Sequence, residues 1–257
     1  MNKFFDYIYA PYKWLIYVPV LASTTTVLGI FAVVLGTIGL GKPADLMGVI
    51  WARVNAWATP MRVRVSGREQ VDPNQSYVVV SNHQSYYDIF VLYGYLGIPF
   101  RWVMKIELRK IPFLGIACEK IGHIFIDRST PQRAIDTINE ARDRITGGVS
   151  VLFFPEGTRR GLKPMGFFKK GAFRFALDMN LPLLPVTVKN TGAIQPPKTL
   201  ELHPGTAELI IHEPIPLDGY NTENMQQLMD RAREVMGAEI GLLEEKPEEK
   251  ETSSSSS

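Results

Sequence analysis

Tyr77-Val78-Val79-Val80-Ser81-Asn82-His83-Gln84-Ser85-Tyr86-Tyr87-Asp88 is the stretch on which the fold turns. Four apolar or aromatic residues run without alternation, as in a strand covered on both faces. The run stops at Ser81, and an imidazole and a carboxylate follow within seven residues. Strand ends in α/β proteins open onto a crevice, so chemistry is expected there. His83 supplies a base that works near neutral pH. Asp88 could hold one ring nitrogen and leave the other free to take a proton. Five residues apart on one straight helix, the two would splay. They can meet if His83 precedes a helix and Asp88 lies in its first turns.

Working outward, the same pattern recurs. Met61 to Val65 alternates as a strand, and Phe100 to Met104, His123 to Ile126, Val149 to Phe154 and Leu183 to Val188 are apolar runs of strand length. Thr199 to Leu202 and Ala207 to His212 are expected to be strands around the turn His203-Pro204-Gly205. Between the strands, helical spacing covers Tyr86–Leu96, Ile111–Ile121, a segment begun by Thr130-Pro131, Lys169–Met179 and a last helix marked by Met225, Met229, Ala232, Met236 and Ile240. Strands alternating with helices define an α/β protein with a layered mixed sheet flanked by helices. Pro185 lies inside an apolar strand, which predicts an edge or a bulge.

The N-terminus differs in kind. No charged residue occurs between Lys13 and Lys42, a run longer than the ~20 residues that cross a bilayer core. Pro19, Ser23-Thr24-Thr25-Thr26 and several glycines interrupt it and could kink or soften a helix. A second segment, Ala44 to Thr59, places Leu46, Met47, Ile50, Trp51, Val54 and Trp57 at helical spacing, with Arg53 elsewhere on the wheel. Two tryptophans and an arginine on a short amphipathic helix suggest a membrane interface. The chain therefore divides into a two-helix membrane-associating appendage (1–60), an α/β domain (61–243) and a charged, serine-ended tail (244–257) expected to be disordered. Spanning the bilayer and dipping into one leaflet both remain open. Lys3 and Lys13 before the run balance Lys42 and Arg53 after it, so the positive-inside rule does not decide.

Composition excludes several classes. Of 257 residues 46% are apolar, which rules out bulk disorder, and a net charge of +2 is too small to argue for nucleic acid. One cysteine, Cys118, forbids an internal disulfide and a cysteine-rich metal cluster. Four histidines without H-E-x-x-H make a zinc enzyme a poor reading. Ser85 lacks the G-x-S-x-G elbow of a serine nucleophile. The nucleophile is then expected to be a substrate hydroxyl.

Further candidates sit at other strand ends. Phe153-Phe154-Pro155-Glu156-Gly157-Thr158-Arg159-Arg160 presents Glu156 and Arg159 on a glycine-containing loop, and Arg159 can fork onto a phosphate. A surface turn with a Glu–Arg pair would look the same. Lys105, Arg128 and Lys169-Lys170 follow other strands and could hold an anionic headgroup or steer an anionic donor.

Together these stretches resemble the glycerophospholipid acyltransferases. Asn82–Asp88 is similar to the family's N-H-x-S-x-x-D block, and Gly122–Arg128 to its second block. Phe154–Arg159 matches F-P-E-G-T-R, with Arg160 where a serine is usual, and Leu184-Pro185-Val186 is similar to the fourth block. Lys105-Ile106-Glu107-Leu108 resembles the intervening K-x-E-L. The blocks fall in family order over residues 62–215, and the two-helix N-terminus points to the lysophosphatidic acid acyltransferases.

The resemblance implies transfer of a fatty acyl group from acyl-CoA or acyl carrier protein to the sn-2 hydroxyl of lysophosphatidic acid. It implies His83 as general base oriented by Asp88. Arg159, Lys105 and Arg128 would bind the acceptor phosphate, and Glu156 and Gly157 would shape the acceptor site. It implies no metal or redox cofactor. The partners are a lysolipid, a thioester donor and a bilayer, placing the protein at the cytoplasmic face of the inner membrane. Two rivals stand: a relative acting on another lysophospholipid or glycerol 3-phosphate, and a non-catalytic lipid-binding protein.

Overall fold

The computed structural model describes residues 9–127, 145 and 147–241. Arg128, the helix expected from Thr130 and the tail 244–257 lie outside the described residues. Seven strands form one sheet: β1 (Met61–Ser66), β2 (Val78–Ser81), β3 (Phe100–Lys105), β4 (Ile124–Ile126), β5 (Ser150–Phe153), β6 (Leu183–Lys189) and β7 (Gly205–Ile211), in the order β1-β7-β6-β2-β5-β3-β4. Every described pair is parallel except β6–β7.

The period of two sorts each strand between two cores. Val79, Trp102, Leu152, Leu184 and Leu209 face one side. There they meet α2 (Gly41–Ala58) and α3 (Asp88–Tyr95). Val78, Val80, Val151, Phe153 and Leu183 face the other. That side is covered by α5 (Gly171–Met179) and α7 (Met225–Ile240), whose Met225, Met229, Ala232 and Met236 are buried as their spacing predicts. The result is a three-layer mixed α/β fold.

Before α2, a continuous helix runs from Tyr9 to Thr37 and is long and apolar enough to cross a membrane. Its main part is α1 (Val18–Thr37). The turn before it, Lys13–Tyr17, takes the wider π geometry immediately ahead of Pro19, whose nitrogen has no proton to give the ladder. The threonines do more than interrupt the run. Thr24 and Thr25 donate back to Val20 and Leu21 carbonyls, and they accept from Asn55 Nδ2 at 3.0 Å and Trp51 Nε1 at 2.9 Å. They fasten α1 to α2. Of the two tryptophans on α2, Trp57 is exposed, whereas Trp51 packs edge-on against Phe90.

One expectation fails and another is met in one of its two alternatives. Residues 199–202 form no strand, and Thr199 and Gln195 instead bind one another's loop through Gln195 Nε2. Pro185 lies on β6 inside the sheet, between β2 and β7, not at an edge; the other alternative, a bulge, is met, because Val186 pairs with Ile211 and Leu183 with Ile215, one residue more on the facing segment. It is tolerated because β7 ends at Ile211. Beyond that point Pro185 accepts one bond from the His212 N–H at 3.1 Å, and only the return bond is lost.

Candidate active site

The parallel strands β2, β3, β5 and β6 bring their C-terminal ends to one edge of the sheet. His83 follows β2, Glu156 and Arg159 follow β5, Lys105 ends β3, and a short helix α6 (Thr191–Ile194) follows β6. Beyond the end of β2, Asn82 extends its pairing with a side chain: Nδ2 donates to the Val188 carbonyl at 2.9 Å, and Oδ1 accepts the Val188 N–H at 2.8 Å. The amide imitates one more rung of the sheet and fixes the residue before His83.

His83 and Asp88 touch. Nδ1 of His83 lies 2.7 Å from Oδ2 of Asp88. That oxygen also accepts the N–H groups of Gln84 (2.7 Å) and Ser85 (3.0 Å), while Oδ1 accepts the Thr191 hydroxyl. Asp88 offers only acceptor oxygens to these neighbours, which fits a proton on Nδ1 and a free lone pair on Nε2. The carboxylate is 0% exposed and opens helix α3, where the helix dipole favours negative charge. His83 is 16% exposed and its ring stacks on Phe154, centroids 3.8 Å apart. Its Nε2 makes no hydrogen bond among the described residues, and the side chain lines a cavity of about 1350 Å³. The ring is held by Asp88 at Nδ1 and by Phe154 on one face.

Ser85 is not available as a nucleophile. It is fully buried, and its hydroxyl lies 2.7 Å from the Gln195 carbonyl, which it serves as donor. Among the described residues no cluster of His, Cys, Asp and Glu is placed to hold a metal.

The loop after β5 is sewn to the loop after β2. Arg160 N–H donates to the His83 carbonyl at 2.8 Å and Gly161 N–H to that of Gln84 at 3.1 Å. Glu156 reaches the site by an unexpected route. It does not line the cavity; Oε1 accepts the His83 N–H and Oε2 the Gly166 N–H, both at 2.8 Å. Burial pushes its carboxyl above the ordinary range, and the two N–H bonds and Arg160 partly offset this. Glu156 thus acts on His83 through the backbone. Gly157 has φ of +73°, where a side chain would be strained and would meet Lys169.

Arg159 lines the cavity. Its guanidinium lies 3.5 Å over the Tyr86 ring, and its buried Nη1 has no hydrogen-bond partner. A buried donor without an acceptor is costly unless a ligand supplies one. Lys105 lines the same cavity and is exposed. The sequence reading missed Lys163 and Lys198, which join the lining, and the positioning residues Asn82 and Thr191. Thr191 shares no motif with Asp88 and meets it only because β6 lies beside β2.

From His83 the cavity runs between α1, α2 and a helix α4 (Leu114–Ile121) and becomes apolar: Leu28, Ala32, Met47, Leu114, Ala117 and Ile121 line it. It thus joins a cationic part near the imidazole to a part suited to hydrocarbon.

The family model described as Acyltransferase matches residues 62–189. A 1-acyl-sn-glycerol-3-phosphate acyltransferase of Pseudomonas aeruginosa is 34% identical over 187 residues, covering 71% of this chain and 72% of that protein. One of Chlamydomonas reinhardtii is 34% identical over 193 residues, covering 72% of this chain. The chain spans about half the length of this and two similar plant proteins: 57%, 47% and 55%. The crystal structure of a 1-acyl-sn-glycerophosphate (LPA) acyltransferase from Thermotoga maritima superposes with a TM-score of 0.79 at 25% identity, over 94% of this chain and 97% of that one. The matched region holds the His83–Asp88 pair, Glu156 and the two strand ends that carry them, and on these findings the chain belongs to the acyltransferase family.

Proposed function

We propose that the chain transfers a fatty acyl group from acyl-CoA or acyl carrier protein to the sn-2 hydroxyl of lysophosphatidic acid, forming phosphatidic acid. The observation that carries this is a His83 Nε2 beside the cavity with no hydrogen-bond partner among the described residues, while the nearby Ser85 hydroxyl is turned to the Gln195 carbonyl. The acceptor alcohol takes the serine's place. His83 Nε2 removes its proton as the oxygen attacks the thioester carbonyl. When the C–S bond breaks, the imidazolium returns that proton to the departing thiolate. Asp88 steadies the positive ring between the two steps. Arg159, with Lys105, binds the acceptor phosphate, and the apolar cavity holds hydrocarbon.

The names of the similar proteins support this acceptor. The N-terminal helices support a bilayer as the place where it is met. Twenty residues of α1 at about 1.5 Å each reach ~30 Å, the thickness of the hydrocarbon core. A soluble cytosolic donor then puts the cavity at the cytoplasmic face of the inner membrane. Residues 1–60 act as the anchor and 61–243 as the catalytic unit.

Purified full-length protein, incubated with labelled acyl-CoA or acyl carrier protein and a panel of lysolipids and glycerol 3-phosphate, tests the reading. Turnover should be highest with lysophosphatidic acid. Preference for an acceptor without a terminal phosphate overturns the assignment, and free fatty acid without any acceptor would mark a hydrolase. Arg159→Ala should raise the KM for lysophosphatidic acid about tenfold or more while leaving the donor KM in place, as expected for a lost charged hydrogen bond.

A further inference from the structure

The segment between β3 and α4 contains a backbone conformation that a phenylalanine rarely adopts. Phe113 has φ of +60° and ψ of −49°, and the Leu114 N–H reaches back to the Pro112 carbonyl at 2.6 Å. This is the strained form of the γ-turn. The surrounding structure enforces it. Gly115 donates to the Ile111 carbonyl at 2.9 Å, and a Cβ on Gly115 would stand 2.1 Å from the Arg109 carbonyl oxygen. Strain of this kind persists where the rest of the fold over-determines it, and it gathers at functional positions.

What the turn achieves is exposure of apolar surface. Ile111, Phe113 and Ile116 are 41%, 47% and 53% exposed and do not line the cavity. The same segment sends Leu114, Ala117 and Cys118 inward to the cavity wall. Phe113 abuts α1: a Cβ on Gly29 would lie 3.7 Å from both the Phe113 Cβ and its carbonyl oxygen. The apolar patch is therefore continuous with the exposed face of α1, where Phe31 and Val34 are more than half exposed. In the segment 105–120 Arg109 is paired with Glu119, and Lys105, Lys110 and Lys120 outnumber Glu107, which suits anionic headgroups.

We propose that residues 106–116 form a second bilayer-contacting element, which inserts the Phe113 turn into the leaflet that α1 enters and sets the outer wall of the cavity against lipid. The element belongs to the α/β layer, not to the N-terminal helices. It fixes the tilt of the cavity relative to the membrane, which a single helix cannot do. The inference rests on the membrane reading of α1, and its test separates the two.

An environment-sensitive fluorophore is attached to Ile116→Cys, to Phe31→Cys on α1, and to Gln227→Cys on α7, in the full-length protein. Cys118, which lines the cavity, is replaced by Ala in all three proteins, so the introduced cysteine is the one that reacts. Each protein is mixed with phosphatidylcholine–phosphatidylglycerol vesicles carrying spin labels on their acyl chains. Probes at 116 and 31 should brighten and be quenched by the spin labels, with the probe at 227 unchanged. Quenching at 31 but not at 116 overturns the second element and leaves the anchor standing. No quenching at either removes the membrane reading itself. A probe at 116 that brightens with protein concentration and not with lipid means that a second copy covers the patch, and the proposal fails. The double variant Phe113→Asp/Ile116→Asp should lower vesicle partition by about tenfold, the loss expected when two large apolar side chains no longer leave water. Unchanged partition and unchanged activity toward vesicle-borne acceptor would contradict the element.

Discussion

His83 and His123 both follow or precede strands of one sheet and both line one cavity, yet their surroundings prepare them for opposite tasks. His83 has a buried carboxylate on Nδ1 and nothing on Nε2. His123 is 3% exposed and uses both nitrogens: Nδ1 accepts the Trp102 N–H at 3.3 Å, and Nε2 faces the Tyr93 hydroxyl at 3.2 Å. Burial, reinforced by the Arg101 guanidinium, pushes His123 down to about 3. An imidazole becomes a base by having an anion behind it and open space ahead. One that accepts a backbone N–H at Nδ1, gives its Nε2 proton to a tyrosine oxygen and lies against an aromatic wall and a cation is a neutral structural wedge. The residue type is the same, and the neighbours decide.

The largest test of this contrast is His83→Ala. General-base catalysis contributes about 10²–10⁴ in rate, so acyl transfer by the folded variant should fall by at least that range. Measured against it, His123→Ala should lose stability first, since it empties a packed corner shared with Tyr93 and Trp102. Asp88→Asn comes next. It keeps the shape but removes the charge behind Nδ1 and leaves one acceptor oxygen where Asp88 has two. Turnover should drop by about 10²–10³ with little change in KM, read from steady-state kinetics. Thr191→Val removes only the hydroxyl on the second carboxylate oxygen, and about tenfold in turnover is expected from the loss of one hydrogen bond to a charged group. Recovery of activity in Thr191→Ser would mark the hydroxyl as the cause.

The smallest effect on chemistry and the clearest on pH belongs to His123→Gln. In the folded parent the His123 value lies below its ordinary 6.5, so the native state resists taking a proton that the unfolded chain accepts. Its contribution to stability is complete above pH 6.5 and is lost as the pH falls toward about 3. Thermal unfolding of parent and variant should converge as the pH is lowered through that window. A gap that stayed constant would mean that His123 is not held neutral.

Much of this was legible in the sequence for a simple reason. β2 and β5 are continuous apolar runs that end abruptly in polar residues, and that pattern gives both the layered fold and the edge on which His83 and Glu156 sit. The His83–Asp88 spacing was readable because the helix starts at Asp88, which lets a five-residue interval close on itself. The rest depended on neighbours distant in the chain. Pro185 left an edge and a bulge equally open, because nothing local reveals that β7 stops beside it. Glu156 was expected to shape the acceptor site, but how it reaches the site was not readable, because its partners are backbone N–H groups that no motif records. Thr191 and Asn82 carry ordinary turn residues' chemistry and gain a role only from strand order. A heptapeptide can name its base and its anion, but the groups that hold the anion come from the sheet.

The central claim is that the acceptor alcohol, and no side chain, attacks the thioester. Intact-protein mass spectrometry after rapid mixing with acyl donor and no acceptor tests it most directly. The account predicts an unmodified mass at every time, followed by product formation as soon as lysophosphatidic acid is added. A protein mass raised by one acyl group, appearing before acceptor and disappearing with it, would contradict the account.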